Sequence, residues 1–394
     1  MAGLNEVVIA SACRTPIGAF NGALSGFSAP QLGSLVIQEA LNRAGLTGKD
    51  VSEVIMGEVL TAGVGQAPAR QAALGAGLPN TVPCMTINKV CGSGLKAVML
   101  AAQAVMLGHA DVVVAGGMES MSNAPYLLDK VRTGYRLGHG QLIDSMIKDG
   151  LWDVYNDFHM GNAAELCARE CQVPREAQDE FAIRSYKRAL EAQEKGYFTE
   201  EIVPVSVPQR KGEPVVVSED EEPKRVNFEK IPTLKPAFQK DGTVTAANAS
   251  SINDGAAACV VMSRKRAEQL GIEPLATITA QASAARAPEW FTLAPADAIR
   301  AILDQANLKL EDIDLFEVNE AFAVVNLAVA GELGLDLDKM NVHGGAVALG
   351  HPIGASGARI LTTLLYALKR HDKKRGLATL CIGGGEATAV IVER

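Results

Sequence analysis

The sequence predicts an α/β protein built from two similar halves, each with a mostly parallel sheet covered by helices. Three observations lead to this prediction: a weak internal duplication, strand-like segments that alternate with helix-like ones, and reactive residues in glycine-rich turns before helices. The chain has 394 residues, which is more than one hydrophobic core ordinarily serves, so more than one domain is expected.

The duplication begins with two matching segments. Leu46–Glu58 and Leu308–Glu320 share the same spacing of a leucine, an aspartate and a glutamate. A segment with apolar residues at a helical period precedes each copy, over Gln31–Arg43 and Ala296–Gln305. The two copies therefore predict the same helix and strand order in both halves.

A second matching unit follows in each half. A helix opens at Cys91–Gly94 and is followed by a buried strand and by Gly116–Glu119. Another opens at Gly354–Gly357 and is followed by a strand and by Gly383–Glu386. In α/β proteins, functional residues lie on loops at strand ends and helix N-termini, so these turns are candidate sites.

The two halves differ in how they end. The second half finishes at once with a strand over Ala387–Val392, but the matching strand of the first half, Ala256–Met262, comes only after more than a hundred residues. We therefore expect three domains: a first half of residues 1–119 and 254–272, an inserted loop domain of residues 120–253, and a second half of residues 273–394.

Composition narrows the class of protein. The net charge is −8, from 37 Lys and Arg against 45 Asp and Glu, which argues against nonspecific binding of nucleic acid. The sequence has no apolar run of membrane-spanning length and no signal peptide, and its odd count of 7 cysteines argues against a disulfide framework. We expect a cytoplasmic protein that binds neither membrane nor nucleic acid. Cys167 and Cys171 lack further ligands, so no metal site is predicted.

Four short segments contain candidate reactive residues. Cys91 lies where a helix begins, and the partial positive charge there favours the nucleophilic thiolate and lowers the thiol pKa. His351 lies in a glycine-rich loop before a helix and could take the cysteine proton. Cys381 precedes glycines whose N–H groups could approach a ligand oxygen, and it could act as acid or base. Asn319 and Glu320 form a polar pair that is either a satisfied structural network or a ligand-orienting site.

The duplication connects these residues. Cys91 precedes the helix of the first half, and His351 precedes the equivalent helix of the second. If the halves pack with pseudo-twofold symmetry, both helix starts point into one cleft, which suggests covalent catalysis with proton transfer. The alternative for each cysteine is an ordinary buried side chain.

Together these segments resemble the thiolase family. Asn88–Ala97 is similar to the family's nucleophile motif, and Asn319–Phe322, Gly350–Gly357 and Cys381–Gly385 match its other three. The likeness spans nearly the whole chain in the right order. It implies two duplicated α/β halves with five-stranded sheets in an α-β-α-β-α layering, plus an inserted loop domain.

The resemblance also implies roles. Cys91 would take an acyl group from acyl-CoA, His351 would activate it, and Cys381 would remove the α-proton of the second acyl-CoA. His351 and a water held by Asn319 would stabilise the enolate oxygen. The N–H groups of Cys91 and Gly383 would form a second oxyanion hole.

Coenzyme A is expected as substrate and product, with no covalently bound cofactor. The resemblance places Ser250 and His159 near the pantetheine arm and the nucleotide end near Lys224, and Met160 would block a long acyl tail. The residues expected to bind acyl-CoA are Ser250, His159, Met160, Lys224, Ala321 and Phe322. The family is usually dimeric or tetrameric, so a homo-oligomer is expected, with Met118–Leu128 as a candidate interface.

Two thiolase subclasses compete. Gly57–Gln66 and Phe158–Gly161 look biosynthetic, which implies condensation of two acetyl-CoA to acetoacetyl-CoA and CoA, and the reverse thiolysis. A degradative 3-ketoacyl-CoA thiolase of broader chain length is the alternative. The chain departs from many relatives at Trp290–Pro295 and at Glu386, where Met or Gln is common.

Other classes fit less well. A decarboxylating ketoacyl synthase would be expected to use two histidines with its cysteine, whereas the second partner here is Cys381. A nicotinamide dehydrogenase would need Gly-x-Gly-x-x-Gly after the first strand, which the sequence lacks. A noncatalytic acyl-CoA-binding module need not keep Cys91, Asn319, His351 and Cys381 together.

Overall fold

The computed structural model describes residues 4–394. Its helices are α1 (Ala29–Arg43), α2 (Pro68–Gly75), α3 (Ser93–Met106), α4 (Met160–Glu170), α5 (Arg175–Glu194), α6 (Arg264–Leu270), α7 (Ala294–Ala306), α8 (Ala323–Leu333), α9 (Ala346–Leu349) and α10 (Ser356–Arg370). Its strands are β1 (Val7–Arg14), β2 (Gly18–Ala19), β3 (Glu53–Gly57), β4 (Cys84–Ile87), β5 (Val112–Ser120), β6 (Tyr126–Leu128), β7 (Leu142–Asp144), β8 (Trp152–Asp153), β9 (Phe158–His159), β10 (Val205–Val207), β11 (Val215–Val217), β12 (Asn253–Ser263), β13 (Ala276–Ala285), β14 (Leu315–Val318), β15 (Arg375–Ile382) and β16 (Glu386–Glu393).

The predicted duplicated α/β fold is confirmed, and its strand pairing is mixed. The first half has the order β4-β3-β5-β12-β1, and the second has β14-β15-β16-β13. Strand β3 is parallel to β4 and β5, and β14 is parallel to β15, whereas the neighbours towards the centre are antiparallel. In the second half, a single parallel bridge from Met340 to Phe316 takes the fifth strand's place. A short pairing of β1 with β13 joins the two sheets.

Alternating side chains of each strand face two different cores. On β1, Val7 and Ile9 join a core that contains α3, α10 and strands of both halves. Val8 and Ala10 join a second core, with α1 and α2. A third core packs the second half's strands against α7 and α8. Because successive strand residues point to opposite faces, each sheet is covered on both sides, which gives the predicted α-β-α-β-α layering.

The two helices of the central layer, α3 and α10, touch through their backbones. A Cβ on Gly94 would lie 2.9 Å from the nitrogen of Ala358, and a Cβ on Gly357 would lie 2.3 Å from the nitrogen of Leu95. Only glycine permits this separation. The contact brings the N-terminal ends of both helices together.

The chain leaves the first sheet at the end of β5 and returns at β12. Between them lie three short antiparallel strand pairs, β6 with β7, β8 with β9 and β10 with β11, together with α4 and α5. Helix α4 packs into the core of the second half. The predicted domain limits at residues 120 and 253 coincide with these strand ends and stay a prediction. Within residues 4–394, every helix is too short or too polar to cross a lipid bilayer.

We predict that Gly357→Ala lowers the free energy of unfolding by roughly 1–3 kcal/mol, because the added methyl group forces α3 and α10 apart. Urea denaturation followed by circular dichroism measures this. The matched control is Gly331→Ala in α8, where a Cβ meets no atom within 4 Å. That change should raise the stability by about 0.5–1 kcal/mol, since alanine is the better helix former. Equal urea midpoints for the two variants would contradict the close contact.

Candidate active site

A cavity of about 270 Å³ opens beside the N-terminal ends of α3 and α10. Of the residues predicted from sequence, the cavity is lined by Cys91, His351, Gly383, His159, Met160, Ser250, Ala321 and Phe322. The wall therefore combines residues of both halves with residues of the inserted segment. It also includes apolar side chains for which sequence reasoning gave no role, namely Met121, Phe238, Phe291 and Ile353.

Cys91 lies in a strained turn between β4 and α3. The preceding residue, Val90, has φ +45°, a left-handed conformation that is costly for a β-branched side chain. Asn88 Oδ1 accepts a hydrogen bond from the Val90 N–H at 2.8 Å, and Ser93 Oγ accepts one from the Lys89 N–H at 2.8 Å. These side chains hold the turn that presents the Cys91 thiol to the cavity.

The Cys91 thiol is protonated at neutral pH. Burial raises its pKa to about 11, although the backbone N–H groups of Gly383 and of Cys91 itself favour the thiolate. The N–H group at the helix start lowers this pKa, as expected, but burial raises it by more, so the net shift is upward. The partial charge of a helix end does not compensate for the loss of water around the sulfur.

Ser356 determines which nitrogen of His351 carries the proton. The Ser356 hydroxyl donates to the carbonyl of Pro352 at 2.9 Å, so its oxygen accepts from His351 Nδ1 at 2.6 Å. His351 Nε2 is then left with its lone pair. Burial lowers the pKa of His351 to about 3, with the charge of Arg359 as a second cause, so the ring is neutral. The resting ring therefore presents an unprotonated Nε2, and its low pKa makes this nitrogen a weak base until negative charge develops beside it.

Asn319 and Glu320 have different surroundings. Asn319 Nδ2 lies 3.5 Å from His351 Nε2, at the long limit of a hydrogen bond, and its Oδ1 has no partner among residues 4–394. Glu320 accepts from Ser185 Oγ at 2.6 Å, Asn341 Nδ2 at 2.8 Å and the Val347 N–H at 3.1 Å. Glu320 is thus the satisfied structural network, whereas Asn319 faces the histidine.

Cys381 is fully buried at the end of β15. Burial raises its pKa well above the ordinary value, and charge on Cys91 raises it further, so the two sulfurs are close enough to interact. The following turn needs glycine, since Gly384 and Gly385 have φ of +89° and +85°. This turn presents Gly383 to the cavity.

Glu119 holds the loop of His351, a role that sequence reasoning missed. Its carboxylate accepts N–H groups of Val59 and Leu60 at 3.1 Å each and of Gly354 at 2.8 Å. Burial raises its pKa to about 7. The duplicated unit that ends in Gly116–Glu119 contains this residue, but the partners of Glu119 are backbone groups distant in sequence, which no local pattern reports.

Lys224 does not reach the cavity. It lies on the surface and forms an ion pair with Glu219, and the adjacent Arg225 faces Glu222.

Aromatic side chains form part of the cavity wall. The His159 ring stacks on Phe238 at 4.9 Å between centroids. Phe238 in turn meets Phe322 edge to face at 6.1 Å.

Comparison with known proteins identifies the family of the chain. Residues 7–265 match the thiolase N-terminal domain, and residues 272–394 match the thiolase C-terminal domain. The chain is 57% identical over 392 residues to the acetyl-CoA acetyltransferase of Cupriavidus necator, covering 99% of this chain and 100% of that one. It is 56% identical over 393 residues to the mitochondrial acetyl-CoA acetyltransferase of Rattus norvegicus, covering 99% and 92%.

Solved structures show the same fold over the full length. The acetyl-CoA acetyltransferase of Bacillus anthracis matches with a TM-score of 0.98 at 45% identity, covering 100% of both chains. A thiolase of Ascaris suum in complex with coenzyme A matches with a TM-score of 0.94 at 46% identity, covering 99% of this chain and 100% of that one. The protein therefore belongs to the thiolase family.

Proposed function

We propose that this protein condenses two acetyl-CoA into acetoacetyl-CoA and CoA, and catalyses the reverse thiolysis. The observation that carries the proposal is that Cys91 and a neutral His351, from different halves, line one cavity. The full-length relatives named acetyl-CoA acetyltransferase support acetyl-CoA as the substrate. They favour this reaction over the degradative alternative of broader chain length.

The first step transfers an acetyl group to the enzyme. Cys91 gives its proton to His351 Nε2 as the sulfur attacks the thioester carbonyl. The N–H groups of Cys91 and Gly383 stabilise the oxyanion, each such donor being worth roughly 3–4 kcal/mol. The carbon–sulfur bond to CoA then breaks, and the leaving sulfur takes a proton from Cys381.

The second step forms the carbon–carbon bond. The Cys381 thiolate removes the α-proton of the second acetyl-CoA, and its high pKa makes it a strong base for this weakly acidic proton. The protonated His351 and a water held by Asn319 stabilise the enolate oxygen. The enolate carbon attacks the acetyl group, and Cys91 leaves and recovers its proton from His351. All three residues return to their starting protonation states.

We assign the pantetheine arm of coenzyme A to the wall formed by Ser250, His159 and Ala321. Ser250 donates its N–H and its hydroxyl to the Ala321 carbonyl, at 3.0 and 2.9 Å, which fixes this wall. The nucleotide end is assigned to the surface around Lys224, whose exposed ammonium group would exchange Glu219 for a phosphate group. No resident cofactor is required by these steps.

The apolar wall near Cys91 suits a short acyl group. Met160 and Phe322 are largely buried, and Met160 Sδ is 3.5 Å from where a Cβ on Gly383 would lie. A long acyl tail has to displace Met160 or the neighbouring Phe291. We infer that this side-chain volume, rather than the catalytic groups, limits chain length.

We propose that the protein is a homo-oligomer, a tetramer or a dimer, that associates through the β6–β7 hairpin. Tyr126, Leu128 and Leu142 are 64%, 53% and 68% exposed on this hairpin, which is unusual for apolar side chains so close together. Within the candidate interface Met118–Leu128, Met118 and Met121 are buried within the chain, so the proposal narrows to its exposed end at Tyr126 and Leu128. The cytoplasmic location stays a prediction, since relatives include mitochondrial proteins.

We predict that the wild-type enzyme cleaves acetoacetyl-CoA with free CoA, seen as loss of the enolate absorbance. Cys91→Ala should lower kcat by roughly 10⁴-fold or more, because no acyl-enzyme forms. Cys84→Ala is the matched control, since Cys84 lies on the preceding strand outside the cavity and its replacement should leave kcat unchanged.

We also predict that a long 3-ketoacyl-CoA reacts with CoA roughly tenfold more slowly than acetoacetyl-CoA, or worse. Similar rates with both substrates would favour the degradative alternative.

We predict that alkylation of Cys91 by iodoacetamide accelerates with pH well beyond neutrality. With a thiol pKa of about 11, the thiolate fraction grows roughly tenfold per pH unit between pH 7 and 9. Mass spectrometry of the Cys91 peptide measures the rate, and Cys91→Ala gives the background from other thiols. A rate that levels off below pH 8 would instead indicate a thiolate–imidazolium pair in the resting enzyme.

We predict that the double variant Leu128→Asp with Leu142→Asp dissociates to a smaller species in sedimentation equilibrium, because charges on the hairpin cannot be buried between protomers. The control is Leu4→Asp, a leucine that is 69% exposed and lies outside the hairpin, just before β1, which should leave the mass unchanged. A monomeric wild-type protein would disprove the association.

A further inference from the structure

An ion pair joins the turn of Cys91 to the glycine turn of the second half. Lys89, two residues before Cys91, donates through Nζ to Glu386 Oε2, three residues after Gly383. The two side chains are 24% and 40% exposed, so the pair is only partly open to solvent. Its two members come from different halves of the fold.

The backbone of Glu386 is held in the sheet, whereas Lys89 lies in a strained turn. Glu386 is the first residue of β16, where it pairs with Ile382 of β15 and with Ala285 of β13. Lys89 belongs to the turn in which Val90 has φ +45°. A strained turn persists only where its surroundings hold it, and a carboxylate anchored between two strands is suited to that task.

Two neighbouring contacts also connect the second half to the turn of Cys91. The side chain of Ile382 packs on the turn so closely that a Cβ on Gly92 would lie 2.3 Å from its Cδ1. Glu386 also faces Lys96 of α3, whose pKa is lowered by burial and by the charge of Lys89, and raised in part by Glu386. The carboxylate therefore neutralises two ammonium groups that otherwise repel each other beside the turn.

We propose that Lys89 and Glu386 are positioning residues that set the width of the oxyanion hole, an inference that rests on the proposed acyl transfer. The two donors of the hole are the N–H groups of Cys91 and Gly383, one from each half. Their separation depends on how the two turns sit relative to each other. The ion pair joins the same two turns and fixes their separation.

We call the Lys89–Glu386 ion pair, acting through geometry, the clamp. Its effect differs in a measurable way from that of charge alone. If the pair acts through geometry, removing either charge loosens the same turn, so both single variants change activity in the same direction. If the charges act only through space on the Cys91 thiolate, losing Glu386 stabilises it and losing Lys89 destabilises it. The two variants then shift in opposite directions.

The experiment compares Glu386→Gln, Lys89→Met, the double variant and the exchanged pair Lys89→Glu with Glu386→Lys in thiolysis of acetoacetyl-CoA. We expect each single variant to lower kcat roughly tenfold with KM changed less than about twofold, because donors out of place cost transition-state binding. The double variant should be no worse than either single one. The exchanged pair should recover most of kcat.

A matched ion pair on the same strand controls for stability. Glu393, at the far end of β16, pairs with Arg375 at 2.8 Å with side chains 24% and 21% exposed. Glu393→Gln should leave kcat unchanged. An equal loss of kcat in Glu393→Gln, an unchanged kcat in Glu386→Gln, or opposite shifts in the two single variants would each overturn the clamp.

Alkylation of Cys91 separates this inference from the proposed function, since it needs no acyl-CoA. A loosened turn exposes the thiol, so iodoacetamide should label Cys91 roughly threefold faster or more in both single variants. If the wild type does not cleave acetoacetyl-CoA, the proposed function fails, and labelling still tests the clamp. Unchanged labelling in both variants would overturn it.

Discussion

The active site depends on the backbone contact between α3 and α10. Neither half contains a complete site, because Cys91 precedes α3 and His351 precedes α10. Gly94 and Gly357 let the two helices approach until their peptide groups touch, which is closer than any pair of side chains permits. An added methyl group at this contact would clash with the backbone of the other helix, so the ends that carry Cys91 and His351 would have to separate. Gly94 and Gly357 thus position the site, although neither has a reactive side chain.

Burial gives the site its resting protonation state. His351 is buried and Cys91 is half-buried beside it, so the desolvation cost of charging both groups at rest exceeds the gain from their attraction. The pKa values move apart, to about 11 for Cys91 and about 3 for His351. Charge then develops only during reaction, when the N–H groups of the oxyanion hole are already oriented to receive it. The same burial makes the Cys381 thiolate a strong base.

The sequence predicted the features that depend on local patterns, namely the duplication and the individual helices and strands. The duplication predicted the two halves, and the strand expected over Ala387–Val392 is observed over Glu386–Glu393. It did not predict the mixed pairing, because alternation of side chains says nothing about strand direction. It gave the effect of the helix start on the pKa of Cys91 but not the larger, opposite effect of burial, since burial depends on elements that are distant in sequence. Glu119 was missed for a similar reason, as its partners are backbone N–H groups.

The inserted segment connects the two halves around the cavity. At one end, Arg14 of β1 is fully buried and donates to Glu201 at 2.5 Å and to both oxygens of Asp220 at 2.7 and 2.9 Å. Removing one partner of such a buried network costs roughly 3–5 kcal/mol, so this attachment is firm. At the other end, Met160 of α4 packs into the core of the second half. Because the segment is attached to both halves, the wall that it contributes keeps a fixed position relative to Cys91 and His351. The cavity wall thus combines Met160 of the insertion with Phe291 and Phe322 of the second half, beside Cys91 and His351 of the duplicated halves.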